Sequence, residues 1–233
     1  MKLSAGGIEL ECERSVGGDP TVLFLHGWGG DITSFAAAAG DAAAWGASCV
    51  RLAFPPVVPS NFGIYDYAAC VKEAIKILGL RRLAIVGHSF GGRVALLLAA
   101  EGLCEKLVLA AAAGMKPRPS IKRAIKIARY KSAKKHGKPL DGFGSVDYNN
   151  LGDGMREVFV RVVNTHLEKV LPYVTCPTLL YWGRSDRDTP PYMAKRLCRG
   201  IAGSRLVMTD GGHFAYLQNR FGFAEELKKF VLD

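Results

Sequence analysis

Gly87-His88-Ser89-Phe90-Gly91-Gly92 is the stretch on which the fold reading turns. Leu83-Ala84-Ile85-Val86 stands immediately before it, and Arg93-Val94-Ala95-Leu96-Leu97-Leu98-Ala99-Ala100 immediately after. A short apolar run ended by a glycine turn reads as a buried strand, and an unbroken run of Ala and Leu reads as a helix. The hexapeptide therefore marks a strand-to-helix corner and fits Gly-x-Ser-x-Gly in the context that pattern requires. A nucleophilic serine must project its hydroxyl over the sheet edge, and the tight turn that achieves this leaves room only for small residues at 87 and 91. The N–H groups opening the next helix point at the same place and favour negative charge developing there. A phosphate-binding loop does not fit: Gly-x-x-x-x-Gly-Lys-Ser/Thr is absent, and residues 87–92 do not match Gly-x-Gly-x-x-Gly.

Outward from this corner, strand-like runs recur at residues 21–25, 48–52, 107–110, 178–182 and 206–208. Segments of helical length and period lie at residues 34–45, 64–78, 93–101, 190–198 and 215–232. Such alternation predicts the α/β class, with a mostly parallel central sheet and helices on both faces. The pattern breaks once. Residues 114–170 hold no strand-like run, being basic, then rich in Gly and Asp, then helical again. Structureless loops of that length are uncommon, so the expected organisation is a core of residues 1–113 and 171–233 carrying an inserted helical lid at 114–170.

The chain has 233 residues, enough for one α/β domain of roughly 200 to 250. With 49% apolar residues, 22% charged residues and a mean hydropathy of +0.11, it is neither disordered nor fibrous in composition. The longest apolar stretch, from Leu107 to Met115, has nine residues, against the roughly 18 to 20 of a membrane span. No transmembrane segment is expected. The start of the sequence lacks an apolar leader core and reaches an acid at Glu9, so no signal peptide is read there and the cytoplasm is the expected location. Six cysteines without Cys-x-x-Cys or Cys/His spacing argue against a zinc site or a disulfide framework and read as free thiols.

The net charge is +10, and all of it is local. Ten basic residues and no acidic one lie between Lys116 and Lys138, which leaves 21 charges of each sign elsewhere. Nucleic-acid binders draw their cations from several elements of one face; a neutral body with one basic segment predicts no nucleic-acid partner.

Three more motifs follow in order. His26-Gly27-Trp28-Gly29 comes after the first apolar strand, Trp182-Gly183-Arg184-Ser185-Asp186-Arg187-Asp188-Thr189-Pro190 after a late one, and Asp210-Gly211-Gly212-His213 after the last. With the Ser89 corner they resemble the α/β-hydrolase superfamily, whose triad runs Ser, Asp, His along the chain. The resemblance covers roughly residues 1–113 and 171–233. It implies Ser89 as nucleophile, His213 as general base and Asp186 as the acid that orients it, with Asp188, two residues on in the same turn, as the alternative. It also implies the backbone N–H groups of Trp28 and Phe90 as oxyanion donors, and neither metal nor organic cofactor. The chemistry suits these residue types, since a serine hydroxyl needs a base to take its proton and a carboxylate to fix the imidazole tautomer.

The expected activity is hydrolysis of a carboxylic ester with a small or medium acyl group through an acyl-enzyme. The alternative is the same fold used for C–C cleavage, for lyase chemistry or for ligand binding and signalling; an intact Ser-Asp-His set favours catalysis. His26 and His88 read as parts of their turns, His136 and His166 as solvated or packing residues, and Asp210 as a turn residue.

Two features depart from or lie outside the resemblance. Where the family often runs Asp-x-x-Gly-x-Gly-x-Ser, this chain has Ala53-Phe54-Pro55-Pro56-Val57-Val58-Pro59-Ser60, which is expected to reshape the substrate mouth. From Ser120 a helix is expected, capped by Ser120 and stopped by Gly137. Ile121, Ala124, Ile125, Ala128 and Ala133 share a face that should cover the active site or the sheet edge, with the Lys and Arg residues outward. Those charges read either as a solvated lid face or as attracting an acidic partner, an anionic substrate or an anionic membrane surface; the substrate itself is expected to be a small-molecule ester.

Overall fold

The computed structural model describes residues 1–137 and 146–233. The chain opens on an antiparallel hairpin, β1 (Lys2–Ala5) and β2 (Ile8–Ser15), and continues with β3 (Gly18–Leu25), α1 (Ala36–Ala44), β4 (Ala47–Ala53), α2 (Ile64–Ile77), β5 (Leu83–His88), α3 (Ser89–Ala100) and β6 (Lys106–Ala110). Then come α4 (Ile121–Lys135), α5 (Val146–Asn149), α6 (Asp153–Asn164) and a 3-10 turn at Glu168–Tyr173. β7 (Thr178–Gly183), α7 (Pro191–Gly200), β8 (Arg205–Thr209), α8 (Ala215–Gln218) and α9 (Arg220–Leu232) complete it.

One eight-stranded sheet has the order β1-β2-β4-β3-β5-β6-β7-β8. Only β1 and β2 run antiparallel to their neighbours; β4, β3, β5, β6, β7 and β8 pair in parallel. β5 and β7 are buried at every position, which is why they read as continuous apolar runs. Successive residues of β3 alternate between two cores. Leu23 and Leu25 belong to the buried core that also holds Tyr67 and Val71 of α2, Leu97 of α3 and Leu197 of α7, whereas Val22 and Phe24 belong to the core that holds Ala42 of α1 and Leu227 of α9. The register aligns the C-terminal ends of the parallel strands: Leu25 lies opposite Gly87, His88 opposite Ala110, and Gly183 opposite Thr209. The loops after β3, β5, β7 and β8 consequently leave the sheet at one edge, where α/β sheets build their sites.

Sequence periodicity misses two features. The β1–β2 hairpin has one wet face, with alternating burial and a turn at Gly6 and Gly7 at φ of 58° and 79°; a search for continuous apolar runs passes over such edge strands. Residues 215–232 form two helices, because Asn219 breaks the first and caps the second by accepting the Gly222 N–H at 3.3 Å.

A correction concerns the helix after Ser120. It starts and ends as expected, with Gly137 at φ +63° beyond its end, but its apolar stripe does not cover the site. Ile121 is 81% exposed and Ile125 54%, whereas Tyr130 is half-buried and Ala133 buried. Lys138 lies outside the described residues, as do the side chains of Lys122, Arg123, Ala124, Lys126 and Lys134. The helix of this segment whose apolar face is buried is α6, with Met155, Val158 and Val162 at spacings of three and four.

Arg93, four residues past Ser89, fastens α6 down. Its guanidinium donates to the carbonyls of Val162 at 3.0 Å, Thr165 at 2.6 Å and Val163 at 3.3 Å, satisfying acceptors that a helix C-terminus leaves open. Burial lowers its pKa to about 10, which keeps it cationic at neutral pH. The ends of the segment between β6 and β7 also meet, through the Leu167 N–H donating to the Gly114 carbonyl at 2.8 Å. Among the described residues no helix is long and apolar enough to cross a membrane.

Candidate active site

Ser89 has φ +48°, in the left-handed region that a non-glycine residue occupies only when its surroundings force it. The forcing contacts are visible around it. A Cβ on Gly91 would run into the carbonyls of Leu25 and His26, one on Gly87 would lie 2.6 Å from the Gly91 oxygen, and one on Gly92 would strike Ala112. The glycines at 87 and 91 are needed as the sequence implies, and Gly92 is needed as well.

The two residues expected to supply the oxyanion donors line one cavity. Phe90 is the second residue of α3, so its N–H belongs to the first turn, which has no intrahelical acceptor. Trp28 lies in a turn closed by the Gly30 N–H donating to the Gly27 carbonyl at 3.1 Å. The rings of Trp28 and Phe90 meet edge to face at 5.2 Å.

His213 Nδ1 lies 3.0 Å from Asp186 Oδ2, and the Asp186 side chain is fully shielded from solvent. The Asp188 and Thr189 N–H groups both donate to Asp186 Oδ1 at 2.9 Å. The Thr189 hydroxyl is 2.8 Å from Asp186 Oδ2 and 3.0 Å from the Ala111 carbonyl, two acceptors for its one proton. Burial alone would raise the Asp186 pKa; donors from His213 and Thr189 outweigh it, and the carboxyl is held below its ordinary range. Asp188 is exposed and reaches Asp186 through its backbone rather than pairing with His213. Asp210 is exposed as well, 3.9 Å from Arg184.

The other two histidines of the region are structural. His88 is 2% exposed, and its Nε2–H donates to the His213 backbone carbonyl at 3.0 Å, clasping that loop to the corner. Burial, with the neighbouring His213, lowers its pKa to about 3. His26 accepts the Phe54 N–H at Nε2 (3.1 Å) and donates from Nδ1 to the Gly27 carbonyl (2.7 Å), joining the Gly27–Gly30 turn to the Pro-rich stretch.

A consequence for acid stability follows from His88. Below about pH 6.5 the unfolded chain takes up a proton that folded His88 refuses, so stability falls as pH drops from about 6 towards 3, by up to about 1.4 kcal/mol per pH unit from this group. Urea titrations across that range should show a shallower acid decline in His88→Gln than in the parent chain.

Ser89, Trp28, Phe90 and His213 all line one cavity of about 700 Å³, to which Phe159 and Val162 of α6 also contribute. No hydrogen bond joins the Ser89 hydroxyl to His213 among the described residues, and such bonds are often long before substrate binds. A second cavity, of about 860 Å³, shares Gly27, Trp28 and Phe90 with the first and is lined by Phe54, Pro55, Pro56 and Tyr67. The Pro-rich stretch thus shapes the space beside the site.

Among the described residues the one cluster with metal-ligating geometry is Asp186, Asp188 and His213, whose ligand atoms lie within 4.8 Å of one another. Both Asp186 oxygens already accept N–H or O–H donors, an arrangement that suits hydrogen bonding to a histidine better than ligation. Sequence reading misses Thr189, Arg93 and the clasp formed by His88; an Asp with Thr three residues on is too common a spacing to carry a signal.

The chain belongs to the Alpha/beta hydrolase family, whose model matches residues 22–226. It is 28% identical to the mouse (Mus musculus) serine hydrolase BPHL, covering 100% of this chain and 84% of that one. It is also 28% identical to the 2-hydroxy-6-oxononadienedioate/2-hydroxy-6-oxononatrienedioate hydrolase of Escherichia coli strain K12, over 92% and 88% of the two chains. Among solved structures, an esterase from Exiguobacterium antarcticum superposes with a TM-score of 0.81 at 22% identity, over 100% and 99% of the chains. An enol-lactonase from Burkholderia xenovorans LB400 gives 0.80 at 18%, over 100% of both. These two show the fold. The chain is a hydrolase by family.

Proposed function

We propose that the chain is a serine hydrolase that cleaves a carboxylic ester of small or medium acyl size. The observation that carries the reading is the 3.0 Å contact of His213 with the shielded Asp186, in a cavity that Ser89 also lines. Ser89 Oγ attacks the ester carbonyl while His213 Nε2 takes its proton; the carbon–alkoxide bond then breaks, and the alcohol leaves with that proton. Water repeats the sequence on the acyl-enzyme, releasing the acid and restoring Ser89. Asp186 fixes the proton on Nδ1 and stabilises the imidazolium. The Trp28 and Phe90 N–H groups hold the oxyanion, an effect worth about 3 to 4 kcal/mol per donor in comparable sites.

Residues 114–170 act as a lid, with α6 as the wall facing Ser89. The apolar character of that wall and of Trp28 and Phe90 favours an uncharged acyl group. The six free cysteines fit a cytoplasmic location.

A second reading, hydrolysis of a compound like that in the bacterial relative's name, is favoured by the 28% identity spread over 92% of this chain. A panel of p-nitrophenyl esters, thioesters, lactones and that dienedioate separates the two. The expected outcome is highest kcat/KM on acetate to butyrate esters. Preference for the dienedioate selects the second reading, and a complete lack of turnover with no fluorophosphonate labelling overturns both.

A further inference from the structure

The helix α4 turns its apolar stripe away from the protein. Tyr130 and Ala133 mark its inner side. At about 100° per residue, Ile121, Ile125 and Ala128 gather on the opposite half. All three are exposed, Ile121 at 81% and Ile125 at 54%. Exposed Arg129 flanks this stripe on one side and exposed Lys131 on the other, and exposed Ser132 and Lys135 end it in the last turn. The helix carries seven basic residues and no acidic one in its fifteen positions. An outward apolar stripe needs an apolar medium, while its flanks need anions at the same level. One flat surface supplies both: the boundary between acyl chains and charged headgroups.

We propose that α4 docks the protein on an anionic lipid surface, lying in the interface with Ile121 and Ile125 inserted and Arg129, Lys131 and Lys135 on lipid phosphates. The helix lies on the bilayer and does not span it. An acidic soluble protein would match the charges, but it would also have to provide an apolar groove for two exposed isoleucines. Met115 and Pro117, just before α4, line the Ser89 cavity, so docking brings the edge of the site close to the lipid. The docking stands independently of which bond the site cleaves.

The test is co-sedimentation of the full chain with vesicles of phosphatidylcholine mixed with phosphatidylglycerol, beside vesicles of phosphatidylcholine alone. Binding to the mixed vesicles only, weakened by added salt, is expected. The Ile121→Ser/Ile125→Ser double variant should bind at least about tenfold more weakly, given the apolar area it withdraws. Both side chains are exposed, so circular dichroism and thermal midpoint should be unchanged in the double variant. Lack of binding to either vesicle, equal binding to both, or undiminished binding of the isoleucine variant would overturn the proposal. Capture by soluble polyglutamate without vesicle binding would also overturn it, in favour of an acidic-protein surface.

Discussion

Replacing Ser89 by alanine should lower kcat toward p-nitrophenyl butyrate by about 10⁴- to 10⁶-fold, leaving only what binding and the oxyanion donors supply. The magnitude rests on the step removed, since without Oγ no acyl-enzyme forms and water must attack directly. The corner itself should survive. Its strain at φ +48° is imposed by the packing of Gly87, Gly91 and Gly92 against neighbouring backbone, and alanine meets the same backbone with a smaller side chain. Circular dichroism and the thermal midpoint should match the parent chain. A His213→Gln variant should lose a similar factor, and combining the two should add little, because nucleophile and base act as one unit.

The second large effect separates two aspartates in one turn. Asp186→Asn should reduce kcat by about 10⁴-fold, because an amide facing His213 stabilises the wrong tautomer and gives the imidazolium no counter-charge. Asp188→Asn should stay within about tenfold of the parent, since Asp188 contributes its backbone N–H to Asp186 and leaves its carboxylate exposed. A greater loss at 188 would reverse the assignment. The hydrogen bonds that hold the Asp186 pKa below its ordinary range keep it ionised throughout the neutral range. Their contribution to stability is present above the ordinary carboxylate pKa and is lost as pH falls through the depressed one.

Much of this molecule is legible in its sequence for a physical reason. Strands buried on both faces must be apolar throughout, so β5 and β7 announce themselves. The corner at Ser89 is crowded enough that glycine spacing marks it. Chemistry at strand ends explains why four short motifs suffice to mark Ser89, Trp28, Asp186 and His213 as candidates. What periodicity does not show depends on three-dimensional neighbours. The β1–β2 hairpin has one wet face and a weak pattern. For α4, the sequence shows an amphipathic helix without fixing which face meets the protein; the inner side falls to Tyr130 and Ala133, while α6 buries its apolar face through Met155, Val158 and Val162. Arg93 looks like an ordinary helix cation until its three carbonyl partners, about 70 residues away in the chain, come into view. His88 and Thr189 likewise gain their roles from contacts made across the sheet edge.

The central claim is that Ser89 is a nucleophile activated by His213. Its most direct test is to treat the protein with a fluorophosphonate and map the adduct by mass spectrometry on the tryptic peptide of residues 83–93. One phosphonyl group per chain, located on Ser89 and absent after His213→Gln, is the predicted result. An unlabelled Ser89, or labelling at another residue while Ser89 remains free, would contradict it.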